Sequence, residues 1–153
     1  MEEIIFQEEQ VLKLVGFKTK EEVLSEIADT LCQQGIVKET YKEAILNREK
    51  EFPTGLNTGG INLAIPHADV AHVNKPAIAI AILDKPVEFQ AMDEPEQTIF
   101  VQVVVMLALK EAHGHIEMLQ KVVGLIQDQE LVKQVIELED KTEICNKIKG
   151  KLF

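Results

Sequence analysis

Serine occurs once in this 153-residue chain, at Ser25, inside a stretch with helical periodicity. A serine nucleophile on a strand-to-helix elbow is therefore excluded. Cysteine is nearly as scarce: Cys32 and Cys145 stand alone, with no CxxC pair. That excludes a disulfide framework, and two isolated thiols in predicted helices suit a reducing compartment. With 5 Pro and 8 Gly, the chain is not fibrous or disordered. No GxxxxGK[ST] or GxGxxG run is present, which removes the common phosphate-cradling nucleotide loops. No apolar run approaches the length of a membrane span; the longest, from Ile99 to Leu109, is interrupted by Gln102. The N-terminus lacks the basic start and apolar centre of a signal peptide, so the expectation is a cytoplasmic protein with no membrane insertion.

Basic residues are also few. Lys and Arg number 16 against 26 Asp and Glu, a formal charge of −10. That balance weighs against nucleic acid as a partner, because binding it requires cations to neutralise phosphates. An anionic membrane surface is disfavoured for the same reason. A basic protein partner is compatible with the charge, and so is plain solubility.

Hydrophobic residues make up 46% and charged residues 27%, an ordinary globular mix in a length that suits one domain, here 1–153. Glu3 to Phe6 reads as a short strand. Thr19 with Glu22 forms a capping box ahead of Val23, Leu24, Ile27 and Leu31, and Gly35 ends that helix. Thr40 with Glu43 repeats the signature for a second helix with Tyr41, Ala44, Ile45 and Phe52 on its apolar face. The period then changes. Ile61 to Ile65 reads as a strand stopped by Pro66. Ala77 to Leu83, between Pro76 and Pro86, and Thr98 to Leu109 read as strands buried on both faces. Three further helical patterns follow, over Ile116–Ile126, Leu131–Ile136 and Ile144–Leu152. Helices around strands with two covered faces predict a layered α/β domain, one β-sheet flanked by helices on both faces.

Only four histidines are present. His67 follows Ile65-Pro66, where the proline fixes its own φ and keeps Ile65 extended, so the backbone enters His67 stiffly. A neutral imidazole is nucleophilic, and an ordinary pKa near 6.5 leaves much of it neutral in the cytosol. His115 falls where the long strand gives way to a helix, so a first-turn position would favour a neutral ring and attract anions. If the two strands run parallel, His67 and His115 share one sheet edge. Arg48 ends the second helix before Phe52-Pro53-Thr54-Gly55, a place from which a guanidinium could hold a phosphate. His113 and His115 would point apart on a helix; on an extended segment they would share a face and could bind a metal, but no carboxylate or cysteine nearby completes an obvious set. His72 reads as a surface residue.

The segment Arg48-Glu49-Lys50-Glu51-Phe52-Pro53-Thr54-Gly55, then Ile61 to Pro66-His67-Ala68-Asp69, then His113-Gly114-His115-Ile116-Glu117 resembles the EIIA domain of the fructose/mannitol class of the bacterial phosphoenolpyruvate-dependent sugar phosphotransferase system. The order and spacing match from about Lys20 to Lys149. The resemblance implies a mixed five-stranded sheet flanked by helices and a phosphohistidine at His67. Its donor would be phospho-HPr and its acceptor a cysteine of the cognate EIIB, with a membrane EIIC engaged only indirectly. It further implies that His115 is a second active-site histidine, that Arg48 binds phosphate, that Thr54 is a hydroxyl donor near the site, and that no cofactor or metal is needed. Ala68 departs from the Gly common after the active histidine. Glu51-Phe52-Pro53-Thr54-Gly55 and Pro66-His67-Ala68-Asp69 are most similar to the galactitol branch. Three rivals are a regulatory EIIA-like module that signals by phosphorylation-dependent binding, a metal hydrolase built on His67, His113 and His115, and an interaction domain without chemistry.

Overall fold

The computed structural model describes residues 4–110 and 116–153. Five strands run β1 (Val11–Leu14), β2 (Gly55–Leu56), β3 (Asn62–Ala64), β4 (Ala77–Gln90) and β5 (Thr98–Ala108). The helices are α1 (Lys20–Gln33), α2 (Tyr41–Glu51), α3 (Ile116–Gln127), α4 (Gln129–Glu137) and α5 (Lys141–Leu152). The strands form one mixed sheet in the order β1-β4-β5-β3-β2. β1 is parallel to β4 and β3 to β5, whereas β4 with β5 and β2 with β3 are antiparallel.

The sequence of β4 decides how the two faces are covered. Ala77, Ala79 and Ala81 face one way and Ile78, Ile80 and Ile82 the other, as period-two alternation requires. The alanine face admits α1 and α2 closely, through Val23, Leu24, Ile27, Leu31, Tyr41 and Ile45. The isoleucine face is covered by α3, α4 and α5, through Val122, Leu125, Val132, Val135, Ile144 and Ile148. Both faces are buried, which is why the strand carries no polar alternation. The expected layered α/β arrangement, five strands included, is the one observed.

Of the two caps expected from the sequence, Thr19 forms and Thr40 does not. Thr19 Oγ accepts the Glu22 N–H at 3.2 Å while Glu22 accepts the Thr19 N–H at 3.1 Å. Gly35 takes φ +75° and closes α1. Asp128 and Asp140 cap α4 and α5. Thr40 does not cap α2; its hydroxyl lies 2.7 Å from His72 Nδ1 instead. Phe52, expected on the apolar face of α2, is 59% exposed, because α2 ends at Glu51 and the chain turns outward.

Two strand boundaries also differ, and one strand, β2, was not expected. Ile5 makes a single bridge to Ala77, and the first true strand is Val11–Leu14, four residues with no alternation to mark them. β2 is only two residues long. β4 runs through Pro86 to Gln90: the register breaks between Ile82 and Val87, and the proline, which has no N–H to give, sits exposed in that break. Beyond it the end of β4 curls over to Gly55, where an added Cβ would lie 2.6 Å from the Gln90 carbonyl oxygen.

Candidate functional site

His67 sits just past the carboxyl end of β3, bridged to Leu107 at the end of β5. The Leu107 N–H donates to the Pro66 carbonyl at 3.0 Å, so the backbone on the near side of the histidine is tied to the sheet. The ring is half-buried, and Nδ1 lies 3.0 Å from the Ile65 carbonyl oxygen. A carbonyl can only accept, so Nδ1 carries the proton and the lone pair is on Nε2. Burial pushes the ring's pKa below the ordinary 6.5; the Ile65 hydrogen bond opposes that, and the Arg48 charge adds to the lowering. The ring is therefore a neutral imidazole with one defined nucleophilic nitrogen at neutral pH.

Arg48 stands in the last turn of α2, exposed, its guanidinium carbon 5.4 Å from the Phe52 ring centre. It is near enough for its charge to disfavour a second positive charge on His67. The same charge favours an anion there. The Arg48 charge thus acts on the His67 ring.

Thr54 is buried. Its N–H donates to Glu49 Oε2 and its hydroxyl to Glu49 Oε1, both at 2.8 Å. With the hydroxyl hydrogen engaged there, the expected role as a donor to phosphate does not fit, and Thr54 is a structural link. Its carbonyl accepts the N–H of Ile65 at 3.2 Å, the residue whose own carbonyl faces His67 Nδ1.

The roles of two residues near the site escaped the sequence reading. Glu49 is 3% exposed, and burial raises its pKa, opposed by the Thr54 bonds and by Lys20. The signal was present: Tyr41, Ile45 and Glu49 recur every four residues, so the acid lies on the apolar stripe. Tyr41 is fully buried and donates its hydroxyl to the Leu107 carbonyl at 2.7 Å; burial raises its pKa. His72, half-buried, ties the loop after His67 to Thr40 at the start of α2.

His113 and His115 lie outside the described residues. The condition set for His115 is met in the strands, since β3 and β5 are parallel neighbours and their carboxyl ends share one edge. Among the described residues no group of three His, Cys, Asp or Glu side chains could hold a metal, and no helix is long and apolar enough to cross a membrane.

Residues 4–151 match the family model described as "Phosphoenolpyruvate-dependent sugar phosphotransferase system, EIIA 2". The chain is 29% identical over 126 residues to the galactitol-specific EIIA component of Escherichia coli (strain K12), covering 82% of this chain and 83% of that protein. It is 35% identical over 134 residues to the fructose-specific EIIABC component of Bacillus subtilis (strain 168), covering 84% of this chain and 20% of that longer protein. The fold is similar to that of the Escherichia coli complex of enzyme IIAMTL and phosphorylated enzyme IIBMTL. The TM-score is 0.79 at 21% identity, over 97% of this chain and 99% of the matched one.

Proposed function

We propose, since this chain belongs to the EIIA 2 family of the phosphoenolpyruvate-dependent sugar phosphotransferase system, that it is a cytoplasmic phosphocarrier. The whole chain acts as one module, taking a phosphoryl group from phospho-HPr onto Nε2 of His67 and passing it to a cysteine of an EIIB. The observation that carries the reading is the Nδ1–H···O=C contact from His67 to Ile65 at 3.0 Å, in a ring held neutral by burial.

The chemistry follows from that geometry. The Nε2 lone pair attacks phosphorus as the donor's P–N bond breaks, and the electron pair of that bond leaves with the donor ring. Nδ1 keeps its proton on the Ile65 carbonyl throughout. When a partner thiolate attacks the phosphorus, the Nε2–P bond breaks and its electron pair returns to Nε2, leaving the neutral ring ready again. Phosphoryl transfer needs positioning and charge stabilisation more than covalent help. Arg48 supplies positive charge for a group bearing close to two negative charges. His115 is assigned as a second hydrogen-bonding group at the phosphate. Exposed Phe52 and Val70 border the site and offer apolar area to partners.

Galactitol or a related polyol leads among the sugars served, on the likeness to the galactitol-specific relative. The EIIB partner is supported by the fold neighbour, solved as a complex with phosphorylated enzyme IIBMTL. The test is to incubate the protein with phosphoenolpyruvate, Enzyme I and HPr, and then add the cognate EIIB. Acid-labile phosphate should appear on the wild-type chain, be absent from His67→Ala, and move to EIIB. His115→Ala should accept phosphate and pass it on poorly. Label retained in His67→Ala would overturn the assignment, and label that never leaves for EIIB would favour a signalling module.

A further inference from the structure

Glu49 takes no part in the reaction as described, yet it lies on the buried stripe of α2 with Tyr41 and Ile45. A leucine would pack there without desolvating a charge. The carboxylate is matched by geometry instead. Thr54 presents two donors, its N–H and its hydroxyl, each 2.8 Å from a different Glu49 oxygen. A carboxylate is the side chain that offers two acceptor oxygens in one plane. From Thr54 the connection continues. The Thr54 carbonyl accepts the Ile65 N–H at 3.2 Å, and the Ile65 carbonyl faces His67 Nδ1 at 3.0 Å. Each step from the helix to the imidazole is a directional hydrogen bond.

We propose that Glu49 is a positioning residue for phosphoryl transfer: by holding both donors of Thr54 it fixes the Ile65 carbonyl that keeps His67 protonated at Nδ1 and nucleophilic at Nε2. The proposal rests on the reading of His67 as the phosphate acceptor. It gives two consecutive residues of α2 separate tasks. They project about 100° apart, so Arg48 reaches the phosphate side while Glu49 reaches inward to the histidine's support. A shift of α2 would move the counter-charge and the ring anchor together.

The experiment compares the wild-type chain with Glu49→Leu, which removes both acceptors, and Glu49→Gln. The glutamine keeps one oxygen for the Thr54 N–H and an amide that can donate to the Thr54 hydroxyl. Nitrogen-15 NMR of the His67 ring above its titration reads the tautomer without any partner present. Wild type and E49Q should show the proton on Nδ1, and E49L a shift toward Nε2–H. Labelling from phospho-HPr should slow in E49L by on the order of tenfold to a hundredfold and recover in E49Q. Where circular dichroism shows E49L unfolded, Thr54→Val, which deletes one donor only, is expected to give a smaller shift of the same sign. A folded E49L or T54V with the wild-type tautomer and labelling rate overturns the proposal. A wild-type chain that accepts no phosphate overturns the carrier reading, and the tautomer comparison still decides whether Glu49 controls the ring.

Discussion

Replacing Tyr41 by Phe removes one oxygen and leaves the ring in place. The tyrosine is fully buried, and its hydroxyl donates to the Leu107 carbonyl at 2.7 Å. Leu107 is also buried, so water does not replace the lost donor. A net hydrogen bond of this kind contributes about 1 kcal/mol, and a buried acceptor left short of a donor costs up to about 3 kcal/mol. For a domain of this length each kcal/mol lowers the melting temperature by about 3 °C. Y41F should therefore melt about 3–9 °C below wild type, with an unchanged far-ultraviolet circular dichroism spectrum at room temperature. Burial also raises the phenol's pKa, so the hydroxyl stays a donor through mildly alkaline solution and the deficit should be the same there as at neutrality. The effect should reach function too, because the Leu107 N–H holds the Pro66 carbonyl next to His67. Thermal melts of both chains, followed by circular dichroism, supply the comparison. A deficit below about 0.5 kcal/mol, less than the smallest net hydrogen bond, or one that vanishes as the pH rises, refutes the assignment of that hydroxyl.

Arg48→Ala should slow labelling by about 10- to 150-fold, the equivalent of losing charge-assisted bonds contributing about 1.5–3 kcal/mol; Arg48→Lys should recover part of it, and an unchanged rate removes Arg48 from the phosphate. In the same R48A chain the His67 titration, followed by NMR, should move upward, because a charge that disfavours the imidazolium has gone. In the wild type that titration should fall below 6.5, with labelling steady down to that pH and declining only beneath it. The sign for stability follows: the unfolded ring takes its proton first, so the His67 contribution is complete above 6.5 and is lost as the pH falls toward the folded value. A titration at or above 6.5 contradicts the buried, Arg48-flanked ring. Gly55→Ala places a Cβ 2.6 Å from the Gln90 carbonyl oxygen, a backbone atom with little room to retreat. Such overpacking should cost about 1–3 kcal/mol, read as a lower urea midpoint; a neutral substitution would mean that β2 and the end of β4 do not meet so closely.

Much of the fold was legible because the strong signals were local. The Ala/Ile run of β4, the β-branched run of β5, the Thr19–Glu22 box and Gly35 each specify their element with little help from tertiary contacts. β1 and β2 were not legible: four and two residues give no period to read, and only pairing with β4 and β3 makes them strands. Thr40 looked like a cap because Glu43 stands three residues on, yet a tertiary partner, His72, claims its hydroxyl. Pro86 looked like a strand end because the register break that tolerates it depends on β5. At the site, His67 and Arg48 stood out by residue type and position. Glu49 did not, since an acid in a chain with 26 of them draws no notice until the spacing from Tyr41 and Ile45 is counted. Thr54 was given a donor role by the resemblance alone, and a resemblance cannot say where its hydroxyl hydrogen goes.

The helix α2 is attached at both ends to the segments that bracket His67: Thr40 to His72 and Tyr41 to Leu107 at its start, Glu49 to Thr54 at its finish. Eleven residues make a rod about 16 Å long, and the segments on either side of the histidine cannot spread apart without bending it. The conformational freedom of this cradle is thus surrendered once, when the chain folds, and not again at each encounter. On the proposed carrier reading, donor and acceptor would both meet the same pre-arranged seat around His67, so neither meeting would wait for these tied segments to rearrange.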